Sequence, residues 1–166
     1  LAEAGADLVI TARRKDRLEK AAEEISTKYK VRVTPIVADS SKVEDRAKLL
    51  ESCPDPDILV ITIKPPAPNG DFLKVTPDMW RESIDMALIG PIELMRQYIP
   101  HMKKNGWGRI INMTSVSVKE PLSYLALSNT IRSAVTSWGK TLSIESGKHN
   151  ITVNNILTGF FNTCLL

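Results

Sequence analysis

Residues 8–28, LVITARRKDRLEKAAEEISTK, contain both kinds of regular structure that decide the fold. The short apolar run at 8–10 is typical of a buried strand. Residues 16–28 have helical spacing, with four apolar side chains on one face: Leu18, Ala21, Ala22 and Ile25. A strand followed directly by an amphipathic helix predicts the first half of a βαβ unit.

The same alternation continues along the chain. Apolar runs predict further strands at 31–37, 58–63, 108–113 and 152–157, and helical spacing predicts helices at 43–52, 76–102 and 125–148. Strands and helices in this order predict an α/β fold with a doubly wound, Rossmann-type parallel sheet. In such sheets ligands bind beyond the carboxyl ends of the strands, so the loops after the strands are the places to search.

The predicted helix at 76–102 has a clear start and one weak point. Thr76, Pro77 and Asp78 supply a hydroxyl cap, a proline at the first helical position and an acid in the first turn. Pro91 removes an internal hydrogen bond, so we expect a kink there.

Composition excludes several classes of protein. Of 166 residues 43% are hydrophobic and 25% charged, as in an ordinary globular protein. The net charge of +3 is too small to favour a nucleic-acid or membrane-surface partner. Two cysteines and two histidines predict neither a disulfide framework nor a metal site. With no apolar run long enough for a membrane span, we expect a cytoplasmic protein.

Five segments together resemble the short-chain dehydrogenase/reductase family. They are residues 1–25 (LAEAGADLVITARRKDRLEKAAEEI), VADSSKVED ending the third family strand at Asp39, DILV at 57–60, GRIINMTSVS at 108–117 and ITVNNILTGFFNT at 151–163. The resemblance spans the whole chain. It implies a dinucleotide-binding fold and hydride transfer between a nicotinamide and a small carbonyl or alcohol, such as a 3-oxoacyl, sugar or alcohol substrate.

The family's catalytic set is an Asn, a Ser and a Tyr-x-x-x-Lys pair, and this chain departs from it. Ser115 matches the serine, which the resemblance implies holds the substrate oxygen. The tyrosine position holds Ser128, the lysine position Arg132 and the asparagine position Ala87.

These replacements leave alternatives open. Ser115 could instead satisfy a backbone group at the strand end, and Arg132 could bind ribose hydroxyls or be a solvated charge. A serine is a far weaker acid than a phenol, so the proton of the family reaction would need another source, such as Tyr124, Lys64 or water. Tyr124 could equally be an ordinary loop residue.

The resemblance also implies cofactor contacts. Arg13 and Arg14 follow the second family strand, where a basic residue reads the phosphate of NADP, so NADP(H) is favoured over NAD(H). Asp39 is expected at the adenine edge. Further cofactor contacts are expected from Ile61, the first of the four residues 61–64 that replace the family's Asn-Asn-Ala-Gly, and from Arg132. Thr158 and Gly159 are also expected at the cofactor; Thr158 replaces the proline of the family's Pro-Gly pair, while Gly159 is retained.

The start of the chain reads as the end of a helix with Gly5 as its C-cap. We therefore expect the family's first strand and Gly-rich loop, and a C-terminal piece, to lie outside these residues, with residues 1–166 forming one partial domain. The resemblance implies a homodimer or homotetramer, because the family pairs its two long helices, here about 76–102 and 125–148. Three function hypotheses remain: an altered oxidoreductase, a catalytically silent binder of a nucleotide or small ligand, and a subunit kept for assembly. The missing catalytic residues favour the second over the first.

Overall fold

The computed structural model describes residues 1–62 and 70–159. By its contacts the chain divides into two compact units, Leu1–Pro54 and Asp55–Leu166. All strand pairs are parallel and alternate with helices, which confirms the predicted α/β class. The prediction of a single domain over residues 1–166 stays a prediction.

The first unit is a two-stranded parallel sheet with two helices. Strand β1 (Leu8–Ala12) pairs with β2 (Val33–Val37), and they are linked by helix α1 (Lys15–Tyr29) and followed by α2 (Val43–Ser52). Leu18 and Ala22 of α1 and Leu49 of α2 are buried. Before β1, Gly5 ends a short 3-10 turn in the left-handed region (φ 84°), as its expected role as a C-cap requires.

Strand β2 begins two residues later than predicted. Lys30 ends α1 in the left-handed region, and Arg32 is held by Asp7, whose carboxylate accepts both its backbone N–H (3.0 Å) and its guanidinium (2.7 Å). Residues 30–32 are therefore a turn, and the strand starts at Val33.

The second unit contains a three-stranded parallel sheet in the order β3-β4-β5, comprising β3 (Ile58–Thr62), β4 (Gly108–Ser115) and β5 (Ile151–Thr158). Its core joins the sheet to α4 (Gly90–Asn105) and α5 (Ala126–Ser146). The buried members of that core are Ile61, Met95, Ile99, Met102, Ile110, Leu142 and Ile151. Within each sheet the strand order is the one expected for a doubly wound family fold.

The helix predicted at 76–102 is not one continuous α-helix. It consists of α3 (Pro77–Ile84), a π-helical segment (Asp85–Ile89) and α4. The start is as predicted, because the Thr76 hydroxyl accepts the Met79 N–H at 3.3 Å. Pro91 lies in the first turn of α4, directly after the π-helical segment, where the Gly90 N–H bonds to the Asp85 carbonyl, five residues back. The expected kink at Pro91 stays a prediction.

Candidate functional site

A concave pocket lies at the carboxyl ends of β1 and β2 in the first unit. Its volume is about 180 Å³, and its lining includes Arg13 and Asp39, two of the residues expected at a cofactor. A guanidinium nitrogen of Arg13 is 3.7 Å from an Asp39 carboxylate oxygen. The structure thus brings these two predicted residues together at the end of the sheet where a ligand is expected.

Asp39 is fixed by the turn that follows it. Its Oδ1 accepts both the Ser41 hydroxyl (2.7 Å) and the Ser41 N–H (3.1 Å). These hydrogen bonds, the hydroxyl first, and the nearby Arg13 and Lys42 charges lower the pKa of Asp39 against the opposing effect of burial. The pocket therefore holds a well-oriented carboxylate, able to accept a hydrogen bond from an amino group.

Two further charged residues of the pocket, Lys42 and Asp45, were not predicted from the sequence. The Asp45 carboxylate accepts a hydrogen bond from the Asp39 N–H at 2.9 Å and forms an ion pair with Lys48 at 3.1 Å. The hydrogen bond from Asp39 is the main reason that the pKa of Asp45 is lowered. Their position in the sequence could have indicated them, because both residues lie at the start of the helix that follows Asp39. Arg14 does not line the pocket; it is exposed, and its carbonyl opens α1 by accepting the Leu18 N–H.

Ser115 is the last residue of β4, in the second unit. Its Oγ accepts the Ser117 N–H at 3.2 Å and begins the 3-10 turn Val116–Val118. The hydroxyl therefore does satisfy a strand-end backbone group. This bond uses a lone pair, so the hydroxyl hydrogen can still be donated to a ligand, and the role implied by the resemblance stays a prediction.

Arg132 is half-buried beneath the same strand end. Its Nη1 donates to the Met113 carbonyl at 2.8 Å, and burial lowers the pKa of the guanidinium. It is therefore not a solvated charge on a helix face. Part of its hydrogen-bonding capacity is directed at the protein's own backbone, where the family lysine would bind a ribose.

The hydroxyls of Ser128 and Tyr124, two candidate catalytic groups, differ sharply in exposure. Ser128 lies one helical turn earlier on α5 and is only 4% exposed. Tyr124, in the turn before α5, is 42% exposed. A phenol at that backbone position is accessible to solvent, whereas the buried serine is too weak an acid to replace it.

The residues at the end of β5 support the backbone of β4. Thr158 is paired with Ser115 across the sheet, and its hydroxyl donates to the Thr114 carbonyl at 2.8 Å. Gly159 follows without a side chain. Ile61, expected beside a cofactor, has its side chain in the core and 6% exposed, so it can border a ligand only with its backbone. Lys64 lies outside the described residues.

Ala87 belongs to an apolar cluster. It is buried with Ile131 and Val135 of α5, and Ile84 and Leu88 pack against them. The family's asparagine position therefore serves here as a contact between the π-helical segment and α5.

The amide of Asn112, which is buried, and that of Asn155, which is half-buried, lie between β4, β5 and α5. Asn112 donates to Asn155 at 3.1 Å, and Asn155 reaches the Thr136 carbonyl at 3.4 Å. A Cβ on Gly139 would stand 2.9 Å from the Asn155 Oδ1, so only glycine fits against this pair without movement.

No metal-binding group of three or more His, Cys, Asp or Glu side chains occurs in residues 1–62 and 70–159. Over the same residues, no helix has both the length and the apolar character needed to cross a membrane.

Comparison with known proteins identifies the family. The family model described as short chain dehydrogenase matches residues 1–166. The chain belongs to the short-chain dehydrogenase/reductase family, as the sequence predicted.

Curated relatives include dehydrogenase/reductase SDR family member 4 of Homo sapiens, 27% identical over 98% of this chain and 60% of the relative. The NADPH-dependent reductase BacG of Bacillus subtilis is 29% identical over 98% of this chain and 64% of its own length. The chain thus spans about 60% of the length of such relatives.

Solved structures agree with this assignment. The L-sorbose reductase of Gluconobacter frateurii, complexed with NADPH and L-sorbose, superposes with a TM-score of 0.92 and 30% identity over 98% of this chain and 63% of that one. YwfH, an NADPH-dependent reductase involved in bacilysin biosynthesis, gives a TM-score of 0.88 and 29% identity over 96% and 64%.

Proposed function

We propose that the chain belongs to an NADP(H)-dependent oxidoreductase that transfers a hydride between the nicotinamide and a small carbonyl or alcohol. The observation that carries this proposal is the pocket of the first unit, whose charged lining consists of two cations, Arg13 and Lys42, and two carboxylates, Asp39 and Asp45. Cations suit the 2′-phosphate that distinguishes NADP from NAD, and the Asp39 carboxylate suits an adenine amino group. Relatives described as NADPH-dependent support the same choice.

The bound cofactor would supply the hydride, and the protein would supply orientation and a proton. Ser115 would donate its hydroxyl hydrogen to the substrate oxygen, because its Oγ is already fixed by the Ser117 N–H. Arg132, anchored on the Met113 carbonyl, would hold the end of the strand that carries Ser115. The proton would come from Tyr124, Lys64 or water, since Ser128 is buried and too weakly acidic. Substrates of the 3-oxoacyl, sugar or alcohol type are compatible with this proposal.

A catalytically silent binder is the second candidate, and a different observation favours it. Ala87 is packed in an apolar cluster, and Arg132 is hydrogen-bonded to the backbone. Two positions of the family's proton relay are thus committed to holding the protein together. Such a protein would bind a dinucleotide or a related ligand and not turn it over.

The deciding experiment is titration of the full-length protein with NADPH and then NADH, with nicotinamide fluorescence as the signal, followed by a panel of carbonyl substrates. We expect NADPH to bind more tightly than NADH and at least one carbonyl to be reduced. Binding without turnover across the panel would favour the silent binder. Failure to bind either dinucleotide would contradict the oxidoreductase and leave a binder of another ligand or an assembly subunit as the better account.

We also propose a homodimer or homotetramer and a cytoplasmic location. Of the apolar positions on α5, Val135, Trp138 and Leu142 pack in the interior, whereas Ile144 is 71% exposed and available to a second copy. Light scattering of the full-length protein after size-exclusion chromatography tests the oligomer, and a fluorescent fusion tests the location.

A further inference from the structure

Side chains in the first turn of α2 form hydrogen bonds to the loop that lines one side of the pocket. Residues 39–42 connect β2 to α2, and two adjacent side chains of the helix bind their backbone. The Asp45 carboxylate accepts the Asp39 N–H at 2.9 Å, and the Arg46 Nη1 donates to the Ser40 carbonyl at 2.8 Å. The Lys42 N–H closes the turn on the Asp39 carbonyl at 2.9 Å. The helix thus binds both a backbone N–H and a backbone carbonyl of the loop.

Arg46 is an unusual side chain for an interior position. It is only 8% exposed, and its Nε is buried without a hydrogen-bond partner. Within the described part of the chain, no carboxylate lies at ion-pairing distance from it. Burying an unpaired guanidinium opposes folding, and an apolar side chain of similar length would fill the same space at lower cost.

The cost of burying Arg46 is explained by its hydrogen bond to the Ser40 carbonyl, which belongs to a loop of the pocket. The loop carries Asp39 and Lys42, which both line the pocket with Arg13. If the Ser40 carbonyl were released, the loop could turn, and the carboxylate and ammonium would lose their fixed positions. Ligand affinity gains from such preorganisation, because the ordering is completed before the ligand arrives.

We propose that Arg46 and Asp45 are positioning residues that hold residues 39–42 in shape for a phosphorylated adenosine, with Lys42 as a second cation beside Arg13. This inference rests on the proposed function, because it concerns the ligand of the same pocket. Arg46 acts without touching the ligand, whereas Asp45 also lines the pocket.

The test uses the full-length protein and two probes, NADPH and adenosine 2′,5′-bisphosphate. Arg46→Met removes the donor to Ser40 and keeps an interior side chain, whereas Arg46→Lys keeps one donor. We expect Arg46→Met to weaken both probes about tenfold, as for a lost hydrogen bond to a charged group. Arg46→Lys should bind more tightly than Arg46→Met. Amide hydrogen exchange at residues 39–42 should become faster in Arg46→Met without any ligand.

The matched control is Leu49→Ala, which opens a cavity at a buried position one turn further along α2. It should lower Tm but leave both affinities within about twofold of wild type. Should Arg46→Met fail to fold, Asp45→Ala removes the acceptor of the Asp39 N–H, and Asp45→Asn retains one. We expect Asp45→Ala to lose affinity and Asp45→Asn to recover part of it.

The outcomes separate this inference from the proposed function. Suppose that the wild type binds both probes and that Arg46→Met and Asp45→Ala show unchanged affinity and unchanged hydrogen exchange. That result would overturn the positioning role alone. An equal loss of affinity in Leu49→Ala would also overturn it, since general destabilisation would then explain the effect. A wild-type protein that binds neither probe would overturn the proposed function, and with it the ligand assigned here.

Discussion

Ser115 has one hydroxyl hydrogen to offer a substrate, while its oxygen accepts the Ser117 N–H. We expect Ser115→Ala to lower kcat about 100-fold, because a donor to a developing oxyanion contributes on this scale. The measurement is steady-state turnover with a substrate identified from the carbonyl panel. Ser137→Ala, at an exposed position of α5, is the control and should retain full activity. Unchanged turnover in Ser115→Ala would remove this serine from the mechanism.

In the proposed function, Arg13 is the residue whose charge would distinguish NADPH from NADH. Its side chain is 54% exposed and is paired with Asp39 across 3.7 Å, a loose contact that an incoming phosphate can replace. We expect Arg13→Ala to weaken NADPH about tenfold and NADH much less, as measured by fluorescence titration. Arg14→Ala, at the exposed neighbour, should change neither affinity by more than about twofold. Equal losses for both dinucleotides in Arg13→Ala would contradict a phosphate contact.

At the scale of elements, the contact between α5 and the sheet depends on Gly139, which has no side chain. A Cβ at Gly139 would come within 2.9–3.1 Å of the amide groups of Asn155 and Asn112. We expect Gly139→Ala to lower the free energy of unfolding by about 1–3 kcal/mol, because the amide pair must move or lose its hydrogen bond. Urea denaturation measures the change.

Gly147→Ala is the matched control for that prediction. It lies just after α5 with φ of −57°, and no atom stands within 4 Å of the added Cβ. We expect its stability to stay within about 0.5 kcal/mol of wild type or to rise slightly. Similar losses in both variants would show that helix geometry, and not the amide pair, determines the effect.

The π-helical segment gives a second prediction at this scale. Ala87→Asn restores the family's residue but places an amide among Ile131, Val135 and their neighbours. We expect a loss of about 1–3 kcal/mol in the free energy of unfolding and no gain in turnover. Asp85→Asn, an exposed change in the same segment, should be neutral. Higher turnover in Ala87→Asn would show that the position can still serve a proton relay.

The elements also show what the sequence could predict. In the described residues, apolar runs located the five strands and helical spacing located the long helices, because a strand of a covered parallel sheet is apolar on both faces and such a helix on one. Periodicity missed the π-helical segment, since an added residue in a helix barely changes a short apolar pattern. It also missed Lys42, Asp45 and Arg46, because their roles depend on how the turn at residues 39–42 folds back on α2. The replacements at Ser128, Arg132 and Ala87 were readable from the family pattern, but their hydrogen bonds and packing were not.

At the largest scale, over these 166 residues, the two sheets differ in how many strands they contain. Strand β4 is paired on both sides, whereas β1 and β2 form a two-stranded sheet. Two-stranded sheets are marginal alone, so we expect amides of β4 to exchange hydrogen most slowly and those of β1 and β2 sooner. Mass spectrometry of a polypeptide of these 166 residues measures this. Slower exchange in β1 than in β4 would contradict the prediction.

The π-helical segment Asp85–Ile89 also affects how this chain should be aligned with its relatives. A turn closed from Gly90 to Asp85 holds one more residue than an α-helical turn of similar rise. A relative whose helix is α-helical throughout would have one residue fewer in this turn if the faces on both sides are to match. A gap placed elsewhere would shift positions of α3 or α4 by one residue, and buried residues would be matched with exposed ones. We therefore expect this segment to accommodate the insertion or deletion of one residue more easily than the rest of the helix, because the faces on both sides are preserved.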